Sequence, residues 1–201
     1  MMPDRRRRCA GGIPWAVLIL VGFAQNEFAA EASPVGNLVP NGGFETEGEG
    51  WRPLGKAGDA EPGKQLLWAK DEAHAGARSI KLFLPEPAGT VGWTSPTFLC
   101  RGRVRCTVWL KTSRLHPLPT GWLVVRMIAF DEHGTRLKAR PNPWSHDLAF
   151  VTEKDMSPQE DTDWTAYRTE IALDESVRRA QLEFCANKAT GIAWLDDVEV
   201  A

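Results

Sequence analysis

The sequence lacks the motifs that would identify a zinc protein or a common hydrolase. Only four of its 201 residues are cysteines. None of them has Cys-x-x-Cys spacing, which argues against a structural zinc site. Neither Gly-x-Ser-x-Gly nor His-Glu-x-x-His occurs, so the nucleophile elbow and the zinc-protease helix are also missing. The four histidines are scattered and lie near turn signals, so they predict no metal or catalytic cluster.

The chain also lacks a large excess of positive or negative charge. The chain has 24 basic and 26 acidic side chains and a formal net charge of −2. Residues 1–32 hold four arginines and three acidic residues, so 20 basic and 23 acidic side chains remain without them, a net charge of −3. This balance argues against a nucleic-acid partner, because a phosphate backbone requires a basic stripe.

Long hydrophobic runs are missing too. The one clear apolar run, residues 13–23, is interrupted by a proline and a glycine. It is shorter than the ~20 residues that a membrane span needs. Four arginines precede it and small residues follow it, which is typical of a secretory signal peptide. We predict cleavage after Ala24 or Ala32 and favour Ala32; the alternative is an uncleaved N-terminal anchor.

The predicted signal peptide indicates how the chain is divided and where the mature protein is located. We expect a signal peptide over residues 1–32, a linker over 33–36 and a single domain over 37–201. The mature part is long enough to bury a core without disulfides or metals. It is predicted to be secreted, or to lie in the periplasm or cell envelope, with no membrane span in the mature form.

The predicted domain has the pattern of successive short strands. Turn signals such as Asn41-Gly42-Gly43 and His133-Gly134 separate short β-rich runs, and no stretch shows a sustained helical period. This pattern favours an all-β fold, a two-sheet antiparallel sandwich. The longest irregular region, residues 136–163, is expected to hold one short strand near 148–152.

Alternation along three strands assigns their faces. The positions predicted to face the core are Val104, Cys106, Val108 and Leu110; Leu123, Val125, Met127 and Ala129; and Ala180, Leu182, Phe184 and Ala186. The opposite positions mix tryptophan with charged and amide side chains. By this pattern Cys106 points inward and Cys185 outward, so no disulfide is expected between them. Cys100 lies at a strand end, where pairing with either remains open.

Three segments carry a resemblance to a known family. They are Asn-Leu-Val-Pro-Asn-Gly-Gly-Phe-Glu at 37–45, followed by Trp51; His-Ala-Gly-Ala-Arg-Ser-Ile-Lys-Leu at 74–82; and Gly-Ile-Ala-Trp-Leu-Asp-Asp-Val-Glu-Val at 191–200. In order and spacing they resemble the CenC-type carbohydrate-binding modules of the family 4/9 group. The resemblance spans nearly the whole domain and implies a galactose-binding-like jelly roll.

The same resemblance implies a structural calcium ion that joins the first strand, the next loop and the last strand. Glu45 and Asp196 would be its side-chain ligands, with Asp197 as second choice because alternation sends the two aspartates to opposite faces. Backbone carbonyls near Ala75 and Arg78 would complete the oxygen shell that calcium prefers. The alternative is that Glu45 caps a turn while both aspartates accept hydrogen bonds from backbone amides.

Tryptophan is abundant after the signal peptide, which holds only one of the nine. The flat C–H faces of sugar rings pack on indole, and their hydroxyls bind planar polar groups. The predicted sugar-binding residues are Trp109, Trp122, Arg126, Gln181 and Glu183, with Trp68 and Trp93 on or near loops at the rim. A tryptophan in a sandwich is also a common core residue, and Trp51, Trp164 and Trp194 are interpreted as structural. Arg126 and Glu183 could instead pair with each other at the surface, which would contribute little.

These observations predict a non-catalytic module that binds a polysaccharide or glycan on a concave sheet. No acid–base pair is predicted, because the adjacent Asp196 and Asp197 point to opposite faces of a strand. The alternative function is an exported structural or interaction domain that docks onto another protein or an envelope component. The two functions are distinguished by whether Trp109 and Trp122 share one exposed surface with Arg126.

Overall fold

The computed structural model describes residues 36–54, 64–139, 145–152 and 161–201. The predicted signal peptide lies outside these ranges, as does most of the predicted linker. Within them the regular elements are nine strands: β1 Arg52–Leu54, β2 Leu66–Ala69, β3 Ser79–Leu84, β4 Val91–Thr94, β5 Phe98–Leu99, β6 Arg103–Phe130, β7 His146–Thr152, β8 Thr162–Ala172 and β9 Arg179–Val200. The predicted all-β fold is confirmed. The part of the chain that the structure describes includes no helix long and apolar enough to cross a bilayer.

Two long strands organise the molecule. β6 and β9 pair antiparallel over almost their whole lengths, from Cys106 opposite Val200 to Phe130 opposite Arg179. A straight strand of the 28 residues in β6 would span roughly 90 Å, far more than a domain of this size allows. The β6–β9 ribbon therefore has to bend.

The bend lies at residues 114–121 of β6 and 188–191 of β9. The register between the two strands shifts across this region. Left-handed backbone conformations occur there at Arg114, Thr120, Lys188 and Gly191. Both strands thus turn together, and the ribbon folds back on itself as in a jelly roll.

The folded ribbon supplies the middle of two sheets. Sheet I contains β2, β3, residues 192–200 of β9, residues 103–113 of β6, and β8. Sheet II contains β1, β4, residues 179–187 of β9, residues 122–130 of β6, and β7. All of these pairs are antiparallel, as predicted, and β5 adds a short pair with the start of β9.

One apolar core lies between the sheets. The twelve positions predicted from alternation to face the core are all buried, at 5% exposure or less. Asn37 ties the start of the domain to its last strand, because its Nδ2 donates to the Val198 carbonyl at 2.6 Å and its Oδ1 accepts from the Val200 N–H at 3.0 Å. The predicted strand within the long irregular region is also present, as β7.

The cysteines lie where alternation placed them. Cys106 faces the core and Cys185 occupies an outward position of sheet II, and both are buried. Cys100, Cys106 and Cys185 are all unpaired thiols. Burial raises the pKa of Cys185 to about 12, so this thiol is neutral at physiological pH.

Trp194 is buried, which agrees with its interpretation as a structural residue, but it does not face the core. Ala193 and Leu195 face the core, so Trp194 lies on the outer face of sheet I. There it is covered, at 5% exposure, with the Lys81 Nζ 4.9 Å from its ring. The reason is the left-handed conformation of Asp197, with φ of 42°, which shifts the alternation before Val198.

The bend makes a specific prediction for Gly191. A Cβ on this residue would lie 2.3 Å from the Arg114 carbonyl oxygen, whereas a Cβ on Gly134, also left-handed, meets nothing within 4 Å. Gly134→Ala should therefore show only the backbone cost of about 1 kcal/mol, and Gly191→Ala roughly 3 kcal/mol or more. Urea unfolding measures both free energies. Equal losses for the two variants would show that the ribbon is not closely packed at its bend.

Candidate functional site

The outer face of sheet II holds four of the predicted sugar-binding residues. Trp122 and Arg126 project from β6, and Gln181 and Glu183 project from β9 beside them. The register places Arg126 directly opposite Glu183. Trp122, Arg126 and Gln181 are each partly exposed, whereas Glu183 is 5% exposed.

Arg126 and Glu183 form an ion pair on this face. The Arg126 Nε lies 2.7 Å from the Glu183 Oε2, with side-chain exposures of 20% and 7%. Burial alone would lower the pKa of Arg126, but the carboxylates of Glu183 and Asp147 are among the groups that raise it. The predicted alternative of cross-strand pairing is thus observed, but the pair is largely buried and differs from an exposed one in its energetics.

Trp122 lies beside this ion pair. The Arg126 guanidinium carbon is 5.5 Å from the centre of the Trp122 ring. Trp122 does not belong to the buried core and does not pack against it. The arrangement combines a partly exposed indole with a planar cation and a carboxylate, so it could stack on a flat apolar ring face and hydrogen-bond its polar edge.

A row of small side chains runs across the strands next to Arg126 and Glu183. It consists of Gly92, Cys185 and Val124, which are buried, and it ends on β7 at Phe150, which is 50% exposed. A Cβ on Gly92 would lie 2.3 Å from the Cys185 Cβ, so β4 requires glycine there. Phe150 was not among the predicted site residues. Its two neighbours in the chain are also apolar, so the sequence shows no alternation that would indicate an outward position for Phe150.

A buried hydroxyl lies next to Glu183 on the same face. Thr94 is 4% exposed and sits opposite Glu183 in the register of β4 and β9. Its Oγ1 has no hydrogen-bond partner within the described part of the chain. A buried hydroxyl without a partner is unfavourable, which adds an unsatisfied polar group to this part of sheet II.

The expectation that Trp109 shares a surface with Trp122 is wrong. Trp109 lies opposite Asp196 and Ala166 in sheet I, so the two tryptophans occupy opposite outer faces of the sandwich. Alternation along a strand shows which face a side chain takes, but not which sheet the strand joins. One face of the Trp109 ring is stacked on the His74 imidazole, with centroids 3.6 Å apart.

Trp68 and Trp93 are not rim residues on loops. Both lie in strands, β2 and β4, and both rings belong to the inner side of their sheets. Trp93 is 4% exposed and part of the core, and Trp68 packs against that core. Their ring centroids are 5.6 Å apart in an edge-to-face contact, which is a typical packing of buried aromatic side chains.

The predicted calcium ligands Glu45 and Asp196 face one loop. The N–H groups of Ala77 and Arg78 donate to the Glu45 Oε1 at 2.9 and 3.3 Å. The N–H groups of His74 and Ala75 donate to the Asp196 Oδ2 at 2.7 and 3.2 Å. The segment that carries Glu45, which is irregular and not a strand, therefore meets the loop and the last strand where the resemblance implied.

Asp197 reaches the same loop, although alternation predicted that it would point away from Asp196. Its left-handed φ brings its Oδ2 to 2.6 Å from the His74 Nδ1. Asp196 itself is fully buried, and burial raises the pKa of its carboxyl to about 6 against the lowering effect of the N–H groups. Burial thus disfavours the ionised form of the Asp196 carboxyl, whereas hydrogen bonds from three backbone N–H groups stabilise it. The third of these donors is the N–H of Asp197.

The donor types at this loop fit calcium only in part. A carboxylate has about four lone-pair sites; N–H donors occupy three on Asp196 and two on Glu45. Both Glu45 bonds end at Oε1, so Oε2 remains as a candidate ligand. Within the described residues, no three or more histidine, cysteine or acidic side chains are arranged so that they could hold a metal ion. Backbone carbonyls and water would have to supply most of the six to eight oxygens.

A cavity of about 370 Å³ lies at one end of the sandwich and on neither outer face. The described residues that line it are mostly aliphatic, with His146, Lys138, Asp174 and Ser176 as polar groups. Burial lowers the pKa of His146, so its imidazole is neutral at pH 7. The described lining includes no tryptophan, tyrosine or phenylalanine, so it offers no platform for ring stacking.

Comparisons with known proteins agree on the fold. No protein-family model matches the sequence, and the search of curated proteins finds no match. The C-terminal family 22 carbohydrate-binding module of Clostridium thermocellum Xyn10B superposes with a TM-score of 0.52 and 14% identity, over 84% of this chain and 96% of that module. A family 16 carbohydrate-binding module gives a TM-score of 0.50 and 18% identity, over 82% of this chain and 99% of that one.

A third similar structure is much larger than this chain. It is the enzymatically active domain of tailspike protein 4 from bacteriophage CBA120, with a TM-score of 0.50 and 16% identity. The match covers 82% of this chain but only 21% of the tailspike chain. At these identities the similarities show a shared β-sandwich, found both in separate carbohydrate-binding modules and within a larger protein.

The Arg126–Glu183 pair predicts a contrast between two arginines. Arg126→Ala leaves a buried carboxylate without its partner and should cost about 3–5 kcal/mol of the free energy of unfolding. Arg103→Ala removes an arginine that pairs with Glu170 at the surface, with side-chain exposures of 72% and 41%, and should change stability little. Denaturant titration compares the two variants, and a similar small effect for both would contradict the burial of the Arg126 pair.

Proposed function

We propose that this protein is an exported, non-catalytic module that binds a polysaccharide or glycan on the outer face of sheet II. The observation that carries this proposal is the partly exposed Trp122, which lies off the core with the Arg126 guanidinium 5.5 Å from its ring. A partly exposed indole presents a flat apolar surface on which a sugar ring can pack.

The neighbouring side chains provide the polar half of a sugar site. Arg126 keeps guanidinium N–H groups beyond the Nε that binds Glu183, and Gln181 adds an amide. Sugar hydroxyls both donate and accept hydrogen bonds, so they match this mixture of planar donors and acceptors. Phe150 is exposed at the β7 edge of the same face. It extends the apolar surface in the direction perpendicular to the strands.

The structural similarities support the proposal without deciding it. The family 22 structure concerns the role of residues in its cleft in ligand binding, and another similar structure is a xylan-binding domain with a TM-score of 0.51. Glu183, the buried carboxylate of the face, pairs with Arg126 and serves here as an orienting group. No catalytic step is part of the proposed function.

The alternative function, docking onto another protein, has two observations in its favour. Trp109 and Trp122 do not share one exposed surface, and two apolar side chains are exposed. Leu99 is 71% exposed and Phe150 is 50% exposed, and exposed apolar residues can contribute to protein interfaces. They are single residues on β5 and β7, however, and both strands of the β6–β9 ribbon lie between them. The glycan-binding experiment separates the two functions directly.

Trp122→Ala should abolish or greatly weaken glycan binding at the outer face of sheet II. Loss of a central tryptophan from a binding site is expected to lower affinity by about 30-fold or more. The measurement is a glycan array that includes xylan and β-1,4-galactan, followed by titration calorimetry on the glycans that bind. The variant should keep its melting temperature within a few degrees, because Trp122 lies off the core.

Phe83→Ala is the matched control. Phe83 is a partly exposed aromatic residue on the outer face of sheet I, at 39% exposure, so its removal should leave affinity unchanged. If the wild type binds no glycan at millimolar concentration, the proposed function is wrong and the interaction function is favoured. Equal losses in both variants would place the binding surface elsewhere.

Calcium binding by Glu45 and Asp196 is a separate proposal. A cation at the 74–78 loop would offset the cost of burying the Asp196 carboxylate, so the wild type should melt at a lower temperature in a calcium chelator and recover when calcium is restored. Asp196→Asn should lose this response. An identical melting temperature with and without chelator would contradict the proposal.

A further inference from the structure

The tryptophans of the described chain fall into two groups. Four of the seven are buried or pack against the core: Trp51, Trp68, Trp93 and Trp194. The other three are partly exposed and lie off the core: Trp109, Trp122 and Trp164. One of these three belongs to the outer face of sheet II, and the other two belong to the outer face of sheet I.

The two tryptophans of sheet I form one aromatic patch. Trp109 projects from β6 and Trp164 from the neighbouring β8. His74 connects them, because its ring stacks on Trp109 at 3.6 Å and contacts Trp164 edge-on at 5.9 Å. The three rings are therefore continuous on the surface, on the side of the molecule opposite to Trp122.

Polar groups surround this patch in the same combination as on sheet II. The Arg168 guanidinium carbon lies 5.8 Å from the Trp109 ring, much as Arg126 lies beside Trp122. The Lys111 Nζ is 3.7 Å from the Asp163 Oδ1, and the Asp163 side chain is 89% exposed. The patch thus offers indole, guanidinium, ammonium and carboxylate groups within reach of one ligand.

The need to hold the loop over residues 70–78 in place accounts for the stacking of Trp109 on His74, but not for the position of Trp164. The loop over residues 70–78 is held by the His74 stack on Trp109 and by ion pairs of Lys81 with Asp71 and of Lys111 with Glu72. Trp164 contacts this assembly through the edge-on packing of its ring against His74. It is partly exposed and is not part of the described core cluster, so part of its ring is open to a ligand.

We propose that the β6–β8 side of the outer face of sheet I is a second glycan-binding surface, centred on Trp164 and completed by Trp109, Arg168 and Asp163. Phe83 lies outside it, on β3, two strands away from β6. This inference rests on the proposed function and takes the same class of ligand. One molecule would then bind two glycan chains on opposite sides. Because the two surfaces face away from each other, they cannot engage one flat fibre together, but they can join two separate chains.

The test combines stoichiometry with cross-linking, using xylohexaose and β-1,4-galactotriose as short probes and xylan and β-1,4-galactan as long ones. Calorimetry should give two oligosaccharides per wild-type molecule and one for either Trp122→Ala or Trp164→Ala, with no binding by the double variant. Wild type should make a polysaccharide solution turbid, and each single variant should leave it clear, since a monovalent module cannot join chains. Trp164→Phe keeps a ring and should retain the second site.

The possible failures are distinguishable. A stoichiometry of one that Trp122→Ala abolishes and Trp164→Ala leaves intact would overturn the second surface while sustaining the proposed function. Binding that only Trp164→Ala abolishes would instead overturn the assignment to sheet II. Absence of any binding by the wild type would overturn both proposals.

Discussion

The antiparallel pairing of β6 with β9 is the constraint on which the rest of the structure depends. Each strand is long enough to belong to both sheets, and each bends at the same place. Every other described strand attaches directly or through one neighbour to this ribbon. Its bend creates the two layers, so it also decides which side chains share an outer face.

The bend explains how one sequence presents two polar faces with tryptophan on both. Trp109 and Trp122 lie in the same strand at outward positions, yet the fold of the ribbon places them on opposite sides of the sandwich. Each indole has an arginine near its ring, Arg168 in one case and Arg126 in the other. The two faces differ in that His74 covers one side of the Trp109 ring.

Local patterns in the sequence predicted the parts of the fold that depend on local physics. Alternation gives the inward and outward positions of a strand because successive side chains point to opposite faces, and Val108 and Leu182 are buried as it predicts. The approach of Glu45 and Asp196 to one loop is long-range, and it was implied by the family resemblance of the opening and closing motifs and not by local physics. The alternation of β9 is interrupted at Asp197, whose left-handed conformation leaves Trp194 on the outer face although Val198 and Val200 face the core.

The candidate site was only half predictable for a related reason. Trp122, Arg126 and Glu183 came from alternation within two strands that pair directly, so their grouping needed no knowledge of the overall topology. Trp93 and Trp109 were misplaced because strand boundaries and sheet membership depend on contacts between residues far apart in sequence. Such contacts leave no periodic trace in one chain.

The account depends most directly on Trp122 contacting a sugar. Nitrogen–proton NMR spectra resolve each indole N–H, so a titration with a glycan that binds on the array reports on every tryptophan at once. The account predicts that the Trp122 indole signal shifts in proportion to occupancy, while those of the core residues Trp51 and Trp93 stay fixed. A Trp122 signal that does not move at saturating glycan would contradict it.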